Sequence, residues 1–450
     1  MTNWRPRLSG LNGPVYQQVA DAIHRDIETG TLRPGDRLPP QRDLADALGL
    51  TVGTVTRAYQ IATRRGLIAG EVGRGTFVQS LPGDSAHDLL DLSLNALPPH
   101  AHVAELAARL DPPMPSRASL LDYPPRGGRL EHREIGAAWI ARRGVEVAPS
   151  QVLVTVGAQH ALFAAIASVA SAGDAILVEE LTFSGVLSAA RMLGLRPVAV
   201  AIDNEGLRPD SLEAAARASG ARALVLQPAL HNPTGVTMSD ERRRAVIDTI
   251  SRMGLAVVED DTYGFLVPEA EPITPALEGG TWTYVTGLSK SVAAGYRTGF
   301  LATSPSLVDR ASSTLWATAV AASPISVAVA AAIVADGTAD RIVAWKRAEV
   351  RARGTLARQI LRGVPDAISP ASPHLWLPLP RPWRAATLAA AARARGILIG
   401  TSEAFVAQAG ATPRAIRVCL VPPRSRDRLT SALETLRDLL ASEPSAESTI

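Results

Sequence analysis

The chain of 450 residues contains a single cysteine, Cys419, which excludes an internal disulfide framework. Such sparse use of cysteine is typical of a reducing compartment, so we expect a cytoplasmic protein. The first ten residues are polar and include Arg5 and Arg7, unlike the apolar core of a secretory signal. The most apolar stretch, residues 317–335, is interrupted by serine and Pro324, and it predicts a buried helical region rather than a membrane span.

Lysine is almost as scarce as cysteine. Among 46 basic residues only Lys290 and Lys346 are lysine, and all the others are arginine. Arginine keeps its charge and is not a nucleophile, whereas lysine can lose a proton and attack a carbonyl carbon. Because Lys346 lies in an arginine-rich helical pattern, we expect it to be a solvated surface residue. Lys290 is then the candidate for chemistry that arginine cannot perform.

The remaining composition is that of an ordinary globular protein, with 46% hydrophobic and 20% charged residues. The length allows two to three domains. The net charge is only +3, but ten arginines against seven acids place all of this excess in residues 1–80. A local positive excess favours a polyanionic partner for that segment.

Residues 1–80 show the pattern of a small helical domain that ends in a hairpin. Helices are predicted at 17–27, 42–48 and 51–65, and short strands at 66–68 and 75–78. Two helices joined at Gly49 and followed by a two-stranded wing indicate a winged helix-turn-helix. Residues 81–90 are expected to form a linker.

The rest of the chain, residues 91–450, alternates apolar runs with helical stretches. Strands are predicted at 152–156, 175–179, 197–202, 223–227, 255–259, 283–286 and 299–303. Fully apolar strands separated by helices predict an α/β fold with a mostly parallel, doubly wound sheet. We expect a large part at about 123–335 and a small α/β part formed by about 91–122 and 336–450.

Several residues near predicted strand ends suit one cofactor, pyridoxal phosphate (PLP). Lys290 follows a strand and can form a Schiff base, while Ser289 and Arg297 can hold a phosphate. A second phosphate-binding edge is expected where Ala158 and Gln159 follow a glycine and open a helix, because free backbone N–H groups point outward there.

Two further motifs complete the set. Asp260 lies in a run of three acids at a strand end, where a buried carboxylate needs a cation such as a pyridinium nitrogen. A metal site or a loop cluster of acids is the alternative. Asn232, before Pro233, can donate to the 3′-oxygen of the cofactor, although an ordinary Asn-Pro turn is equally compatible with this motif.

Together these motifs resemble the class I aminotransferases, which are PLP enzymes of fold type I, from about Tyr123 to Arg417. The resemblance implies that Lys290 forms the Schiff base and that Asp260 pairs with the pyridine nitrogen. It implies the remaining contacts as follows: Asn232 and Tyr263 to the 3′-oxygen, Phe183 on the ring, Ala158, Gln159, Ser289 and Arg297 to the phosphate, Tyr123 to the phosphate of a partner subunit, and Arg417 to a substrate carboxylate. Arg414 is a rival for the carboxylate. One departure is Gly287, where the family often has a hydroxyl residue, so a phosphate contact is lost or made by Thr286.

Residues 16–78 resemble the GntR-type winged-helix domain along essentially their whole length. Matching features include the Pro34-Gly35-Asp36 turn, Leu38-Pro39 and the wing Gly73–Val78. The resemblance implies a recognition helix in the major groove of DNA and a wing on the minor groove or backbone. The implied DNA-contacting residues are Arg42, Thr51, Thr54, Arg57 and Arg74. A departure is Val52, where the family usually has an arginine that contacts the nucleic acid.

A GntR-like winged helix joined to an aminotransferase-like domain resembles the MocR family of transcription regulators. The resemblance implies a homodimer that binds double-stranded operator DNA and senses PLP or an amino-acid or amine effector. The alternative is a class I aminotransferase, moving an amino group from an amino acid to a 2-oxo acid, with an accessory DNA-binding domain. A transcription regulator of this kind could also keep residual transaminase activity. A cofactor-free, inactive domain would be expected to lack Lys290 or Asp260, and both are present.

Overall fold

The computed structural model describes residues 4–8, 13–28, 31–32, 35–65, 67–71, 75–78, 89–96, 102–110, 118–361, 363, 365, 368–408, 410 and 412–443. Two compact units make up the chain, Met1–Leu90 and Asp91–Ile450. Most of the predicted linker, residues 81–88, lies outside the described residues. Within the described part of the chain, no helix is long and apolar enough to cross a membrane.

The N-terminal unit consists of three helices followed by a hairpin, as predicted. Its elements are α1 (Val15–Glu28), α2 (Gln41–Leu48), α3 (Val52–Arg64), β1 (Ile68–Glu71) and β2 (Gly75–Val78). Helix α2 ends at Gly49, whose φ of +66° is the left-handed conformation that glycine adopts readily. Helix α3 begins after Thr51, whose side chain accepts a hydrogen bond from the Thr54 N–H. The turn between the two helices therefore follows from these local residues.

A small apolar core holds this unit together. Ile23, Leu44, Val55 and Tyr59 are buried against each other. Each such buried side chain stabilises the unit by roughly 1.5–3 kcal/mol relative to its exposed state. The hydroxyl of Tyr59 donates to the Pro39 carbonyl at 2.8 Å, so this buried polar atom is satisfied. The core thereby fixes α3 against the segment that leads into α2.

A seven-stranded sheet forms the centre of the C-terminal unit. Its strands are β4 (Val152–Thr155), β5 (Ala175–Glu179), β6 (Arg196–Val200), β9 (Ala223–Leu226), β10 (Ala256–Asp260), β11 (Trp282–Gly287) and β12 (Gly299–Thr303). Three short strands do not belong to this sheet: β3 (Leu90–Asp91) precedes it in the chain, and β7 (Ile202–Asp203) and β8 (Gly206–Leu207) lie between β6 and β9 in the chain. The order across the sheet is β4-β12-β11-β10-β9-β5-β6. Only β12 runs antiparallel to its neighbours. The predicted, mostly parallel sheet is confirmed.

Helices cover both faces of this sheet, which is why its strands are apolar at consecutive positions. The helices of the unit are α4 (Val103–Ala108), α5 (Leu130–Ala141), α6 (Ala158–Val169), α7 (Ser184–Met192), α8 (Pro209–Ser219), α9 (Asp240–Met253), α10 (Leu288–Ser291), α11 (Val308–Ala319), α12 (Pro324–Ala335), α13 (Thr338–Ile360), α14 (Ala385–Ala394) and α15 (Arg426–Ala441). The apolar stretch 317–335 spans the end of α11 and all of α12, and α12 buries Val327, Val329 and Ile333. It is a buried helical region, as expected.

A smaller sheet lies in the C-terminal part of this unit. It consists of β13 (His374–Pro378), β15 (Gly400–Thr401) and β16 (Ala415–Cys419), in the order β13-β16-β15, and β14 (Ile397–Leu398) pairs separately with β3. Leu92, just after β3, donates to the carbonyl of Leu398 and accepts from the Cys419 N–H. The segment that opens the unit is thus bound to strands from near its end.

Candidate functional site

A cleft of about 500 Å³ opens at the carboxyl ends of β9, β10 and β11, where ligands bind in parallel sheets. All but one of the predicted cofactor and carboxylate residues line it: Ala158, Gln159, Phe183, Asn232, Asp260, Tyr263, Ser289, Lys290, Arg297 and Arg417. The exception is Tyr123, which lies near Val320 and is 81% exposed. Its proposed role concerns a partner subunit and stays a prediction.

Lys290 lies on α10, the four-residue helix that directly follows β11. Its ammonium donates to the backbone carbonyl of Asn95. Burial, together with the positive charges of Arg417 and Arg297, lowers the pKa of Lys290 to about 8. At pH 7 about one molecule in ten then has an uncharged amine, against fewer than one in a thousand for an exposed lysine. The position therefore favours attack on a carbonyl carbon.

Asp260 ends β10 with its carboxylate buried at the cleft. The carboxylate accepts hydrogen bonds from the backbone N–H of Thr262 at 3.0 Å and from the Thr262 hydroxyl. Burial raises the pKa of Asp260 to about 6. A cationic group placed in the cleft would stabilise the ionised form, which is what a pyridinium nitrogen supplies.

The other two acids of the run face away from the cleft because side chains alternate along a strand. Glu259 accepts from the backbone N–H groups of Ile273 and Thr274, both at 2.8 Å. Asp261 pairs with Arg143 at 2.8 Å and accepts from the Tyr284 hydroxyl at 2.5 Å. Among the described residues no group of three acids, histidines or cysteines could hold a metal ion. The three carboxylates thus serve separate purposes, which argues against a metal cluster.

Asn232 is held by two contacts that the motif did not reveal. Its backbone N–H donates to the side-chain oxygen of Gln227 at 2.9 Å, and its own side-chain oxygen accepts from Arg417 Nη1 at 2.8 Å. Tyr263 is buried, and its ring centre lies 5.9 Å from that of His374. Both residues predicted to bind the 3′-oxygen are therefore buried in the lining of the cleft.

A second group of lining residues is suited to an anion. Helix α6 begins after Gly157, with no side chain capping its first N–H groups. Arg297 approaches the Ser289 hydroxyl at 3.4 Å. Gly157 has a φ of +77°, a left-handed conformation that favours glycine, and a Cβ there would also lie 2.9 Å from Nη2 of Arg297.

The departure at position 287 also has a structural consequence. A Cβ on Gly287 would lie 3.4 Å from the backbone nitrogen of Ala158. A hydroxyl side chain there would point to the start of α6, and this chain has none. Thr286 is buried and lies outside the lining of the cleft, so its placement does not support a substitute contact.

Arg417, on β16, is buried in the lining of the cleft. Besides Asn232, its guanidinium donates to the carbonyl of Ser93 and lies 4.6 Å from the ring centre of Phe405. Its Nε has no hydrogen-bond partner among the described atoms. Arg414 instead donates to the Trp383 carbonyl at 3.2 Å and lies outside the lining, so it is not a rival for the carboxylate.

The expectation for Lys346 is wrong. Its side chain is fully buried, with 0% exposed, and its ammonium donates to the carbonyls of Lys290 at 3.1 Å and Val292 at 2.7 Å. The arginines around it suggested an exposed face. However, position 346 lies on the buried stripe of α13 with Ile342, Val343 and Val350, at spacings of three and four residues. That spacing was visible in the sequence.

Four of the five predicted DNA-contacting residues lie on the second and third helices of the N-terminal unit or at the start of the third. Arg42 and Arg57 are exposed, on α2 and α3 respectively. The guanidinium of Arg57 lies 4.2 Å from the ring centre of Tyr16. Thr51 and Thr54 form the cap of α3, with their hydroxyl oxygens 2.8 Å apart.

Two further positions bear on the predicted contact with DNA, Val52 and Arg74. Val52, which replaces the usual arginine, is 43% exposed at the start of α3. A large apolar side chain there is available to a partner surface but offers it no charge. Arg74 lies outside the described residues.

Comparison with known proteins agrees with this division of the chain. Residues 87–436 match the family described as aminotransferase class I and II, and residues 15–78 match the bacterial regulatory proteins of the gntR family. The uncharacterized HTH-type transcriptional regulator YdeF of Bacillus subtilis is 29% identical over 447 residues, 97% of each chain. The vitamin B6 salvage pathway transcriptional repressor PtsJ of Salmonella typhimurium is 31% identical over 63% of this chain and 66% of its own.

A solved structure of an archaeal alanine:glyoxylate aminotransferase matches with a TM-score of 0.72. It is 23% identical and covers 79% of this chain and 91% of its own, which shows a shared fold. The predicted fold-type I architecture and the resemblance to MocR-type proteins are confirmed. This chain therefore belongs to the class I and II aminotransferase family and carries a GntR-type DNA-binding domain ahead of its aminotransferase-like domain.

Proposed function

We propose that this protein is a transcription regulator that binds operator DNA through residues 1–80 and senses PLP, or an amino acid or amine that reacts with PLP, through residues 91–450. The observation that carries the proposal is the convergence of ten residues on one cleft, in a chain that also has a GntR-type domain. The names of the relatives YdeF and PtsJ support regulation as the purpose of the combination.

The cleft suits PLP in its charges as well as its lining. Lys290 would bond covalently to the aldehyde carbon, and Asp260 would pair with the protonated ring nitrogen. Ser289, Arg297 and the start of α6 would hold the phosphate, and Phe183 would lie on the ring. When bound, PLP would supply an aldehyde carbon that amines attack and a ring that withdraws electrons from the adduct. Among the described residues the hydrogen bonds to the buried carboxyl of Asp260 come from Thr262, so a cation in the cleft would be its charged partner.

An effector with a carboxylate would bind at Arg417. The unpartnered Nε and the two contacts to neutral oxygens, on Asn232 and Ser93, leave this buried guanidinium without a charged partner among the described residues. A carboxylate can bind a guanidinium through two parallel hydrogen bonds, which are stronger than bonds between neutral groups. Such a ligand would replace the Ser93 carbonyl as the hydrogen-bond acceptor of the Arg417 guanidinium.

Regulation requires that the ligand favour one arrangement of the protein energetically. We propose a cytoplasmic homodimer, with the linker at 81–90 joining each DNA-binding domain to its sensor domain. Tyr123 would reach the phosphate bound in the partner subunit. The dimer would present two DNA-binding domains to paired half-sites of the operator.

The test is a joint titration. Amino acids and amines are added to the purified PLP-loaded protein while the absorbance of the lysine-bound cofactor and the binding of labelled operator DNA are followed together. We expect one compound to change both signals over the same concentration range. A compound that changes the absorbance fully and leaves DNA affinity constant would contradict a sensor role for the site.

The second candidate is a class I aminotransferase with an accessory DNA-binding domain. It is favoured by the presence of Lys290, Asp260 and Arg417 in the same cleft. These are the residue types that an aminotransferase needs to bind PLP covalently, to pair with its ring nitrogen and to bind the carboxylate of an amino acid. Rapid multiple turnover with an amino acid and a 2-oxo acid, without sequence-selective DNA binding, would establish this candidate instead.

A further inference from the structure

The two lysines of the chain meet in the folded protein. They are separated by 56 positions, yet the ammonium of Lys346 donates to the backbone carbonyl of Lys290 itself. Its second acceptor is the carbonyl of Val292, two residues further on. Every other basic residue of the protein is arginine. The chain therefore places its only two lysines at one site.

The carbonyls that Lys346 binds belong to the end of α10. This helix has four residues, and the last four carbonyls of any helix lack partners within it. A buried carbonyl without a partner is unfavourable, so an external donor is required. The donor here comes from α13, a helix of 23 residues whose buried stripe holds Lys346 in place. The long helix thereby anchors the short one that carries Lys290.

We propose that Lys346 is a positioning residue for Lys290: by binding the carbonyls of Lys290 and Val292, it holds α10 so that the Lys290 amine is presented to the cleft. The proposal rests on the proposed role of Lys290 as the residue that binds PLP. It goes beyond that role because it assigns a function to a lysine that lies outside the lining of the cleft.

The geometry explains why lysine is present at position 346. An ammonium is a compact group with three donors, whereas a guanidinium is larger and planar. At 0% exposure there is no solvent into which a guanidinium could extend. Burial and the nearby charge of Lys290 also lower the pKa of Lys346 to about 7, so it can remain a hydrogen-bond donor without a full charge beside Lys290.

The decisive comparison uses two neutral substitutions of equal length, Lys346→Gln and Lys346→Met. Both remove the charge, but only glutamine keeps N–H donors. We expect Lys346→Met to form the covalent bond between Lys290 and PLP about tenfold more slowly than the wild type, and Lys346→Gln to recover part of the rate. The circular dichroism of the bound cofactor should change in the same order. Arg351→Met, on an exposed position of the same helix, should behave as the wild type.

A purely structural role predicts a different pattern, in which both variants lose thermal stability equally and capture PLP at the wild-type rate once folded. That result would overturn the proposal. Failure of wild-type protein to bond PLP at all would instead refute the proposed function. The two failures are therefore distinguishable.

A second measurement needs no variant at position 346. Because the chain has only two lysines, labelling lysine with ¹³C at Cε yields two side-chain signals in the nuclear magnetic resonance spectrum. Lys290→Ala removes one signal and so assigns both. We expect the Lys346 signal of the wild type to shift when PLP bonds to Lys290. An unchanged Lys346 signal on full loading would also overturn the proposal.

Discussion

The functional side chains of the two units differ in their exposure. In the N-terminal unit, Arg42 and Arg57 are exposed. In the cleft, Asp260 and Arg417 are buried, and burial shifts the pKa of Lys290. A partner as large as DNA can only contact an outer surface, whereas a small ligand can enter and neutralise buried charges. Substitutions in the N-terminal unit should therefore change only the affinity for DNA. Substitutions in the cleft should change the affinity for the small ligand and also the stability of the fold and its dependence on pH.

The largest effect is expected for Lys290→Ala. Removal of the amine should abolish covalent capture of PLP completely, because no other lysine lines the cleft. Operator binding should agree within about threefold between the cofactor-free variant and cofactor-free wild type, because Lys290 lies outside residues 1–80. Absorbance spectroscopy and fluorescence anisotropy would measure the two properties. A lysine-bound spectrum that persists in Lys290→Ala would refute the site assignment.

The next effect is expected for Arg417→Met. The loss of two charge-assisted hydrogen bonds should weaken binding of a carboxylate effector by about 100-fold. PLP capture should change much less than effector binding, because Arg417 supports Asn232 and lowers the pKa of Lys290 but is not one of the proposed phosphate-binding residues. Calorimetric titration of the PLP-loaded variant tests this, with Arg414→Met as the matched control because Arg414 binds the Trp383 carbonyl outside the cleft. Equal losses in both variants would contradict the assignment.

Asp260→Asn should affect both stability and cofactor binding. In the cofactor-free protein the pKa of Asp260 is raised from 3.8 to about 6, so its ionised form destabilises the fold above pH 6, and this penalty fades between pH 6 and pH 4. The variant should therefore unfold with a free energy about 3 kcal/mol higher than the wild type near pH 7.5, with little difference near pH 4.

Denaturant unfolding at the two pH values measures that difference. PLP affinity should fall by about tenfold in the variant, because the partner of the ring nitrogen has lost its charge. If Asp260→Asn bound PLP as tightly as the wild type, the role of Asp260 in the site would be wrong.

The smallest effects are expected for Arg42→Ala and Arg57→Ala. Each should weaken operator binding several-fold and reduce the slope of affinity against salt concentration by about one if the residue contacts a phosphate. PLP capture and thermal stability should change little. Arg57→Ala also removes the contact with the Tyr16 ring, worth about 0.5–1 kcal/mol, so it should be slightly less stable than Arg42→Ala. Anisotropy at three salt concentrations would decide whether either residue contacts the DNA.

Features that depend on neighbouring residues could be predicted from the sequence. Gly49 ends α2 and Thr51 starts α3 through conformations and hydrogen bonds within a few residues. The strand Val152–Thr155 followed by Gly157 and α6 likewise results from a local pattern. Nine of the eleven residues predicted for the site converge because they end or follow strands of the large sheet or precede its antiparallel strand at one edge, whereas Arg417 joins them from the small antiparallel sheet.

Contacts between distant segments could not be predicted in this way. The carbonyl of Ser93 meets Arg417 across 324 positions, and that of Asn95 meets Lys290 across 195. Backbone carbonyls carry no signature in the sequence, because every residue has one. The division of labour among Glu259, Asp260 and Asp261 also required the structure, since only the packing shows which face of β10 borders the cleft.

The two lysines show what could be predicted from the sequence and what could not. By itself, the sequence determined that Lys290 is the candidate nucleophile, because amine chemistry depends on residue type and arginine cannot perform it. The apolar spacing of α13 already placed Lys346 on an apolar stripe, but only the tertiary structure decided that its amine contacts the carbonyls of Lys290 and Val292, which lie 56 and 54 positions away in the chain. Residue type determines the available chemistry, and packing determines where that chemistry is used.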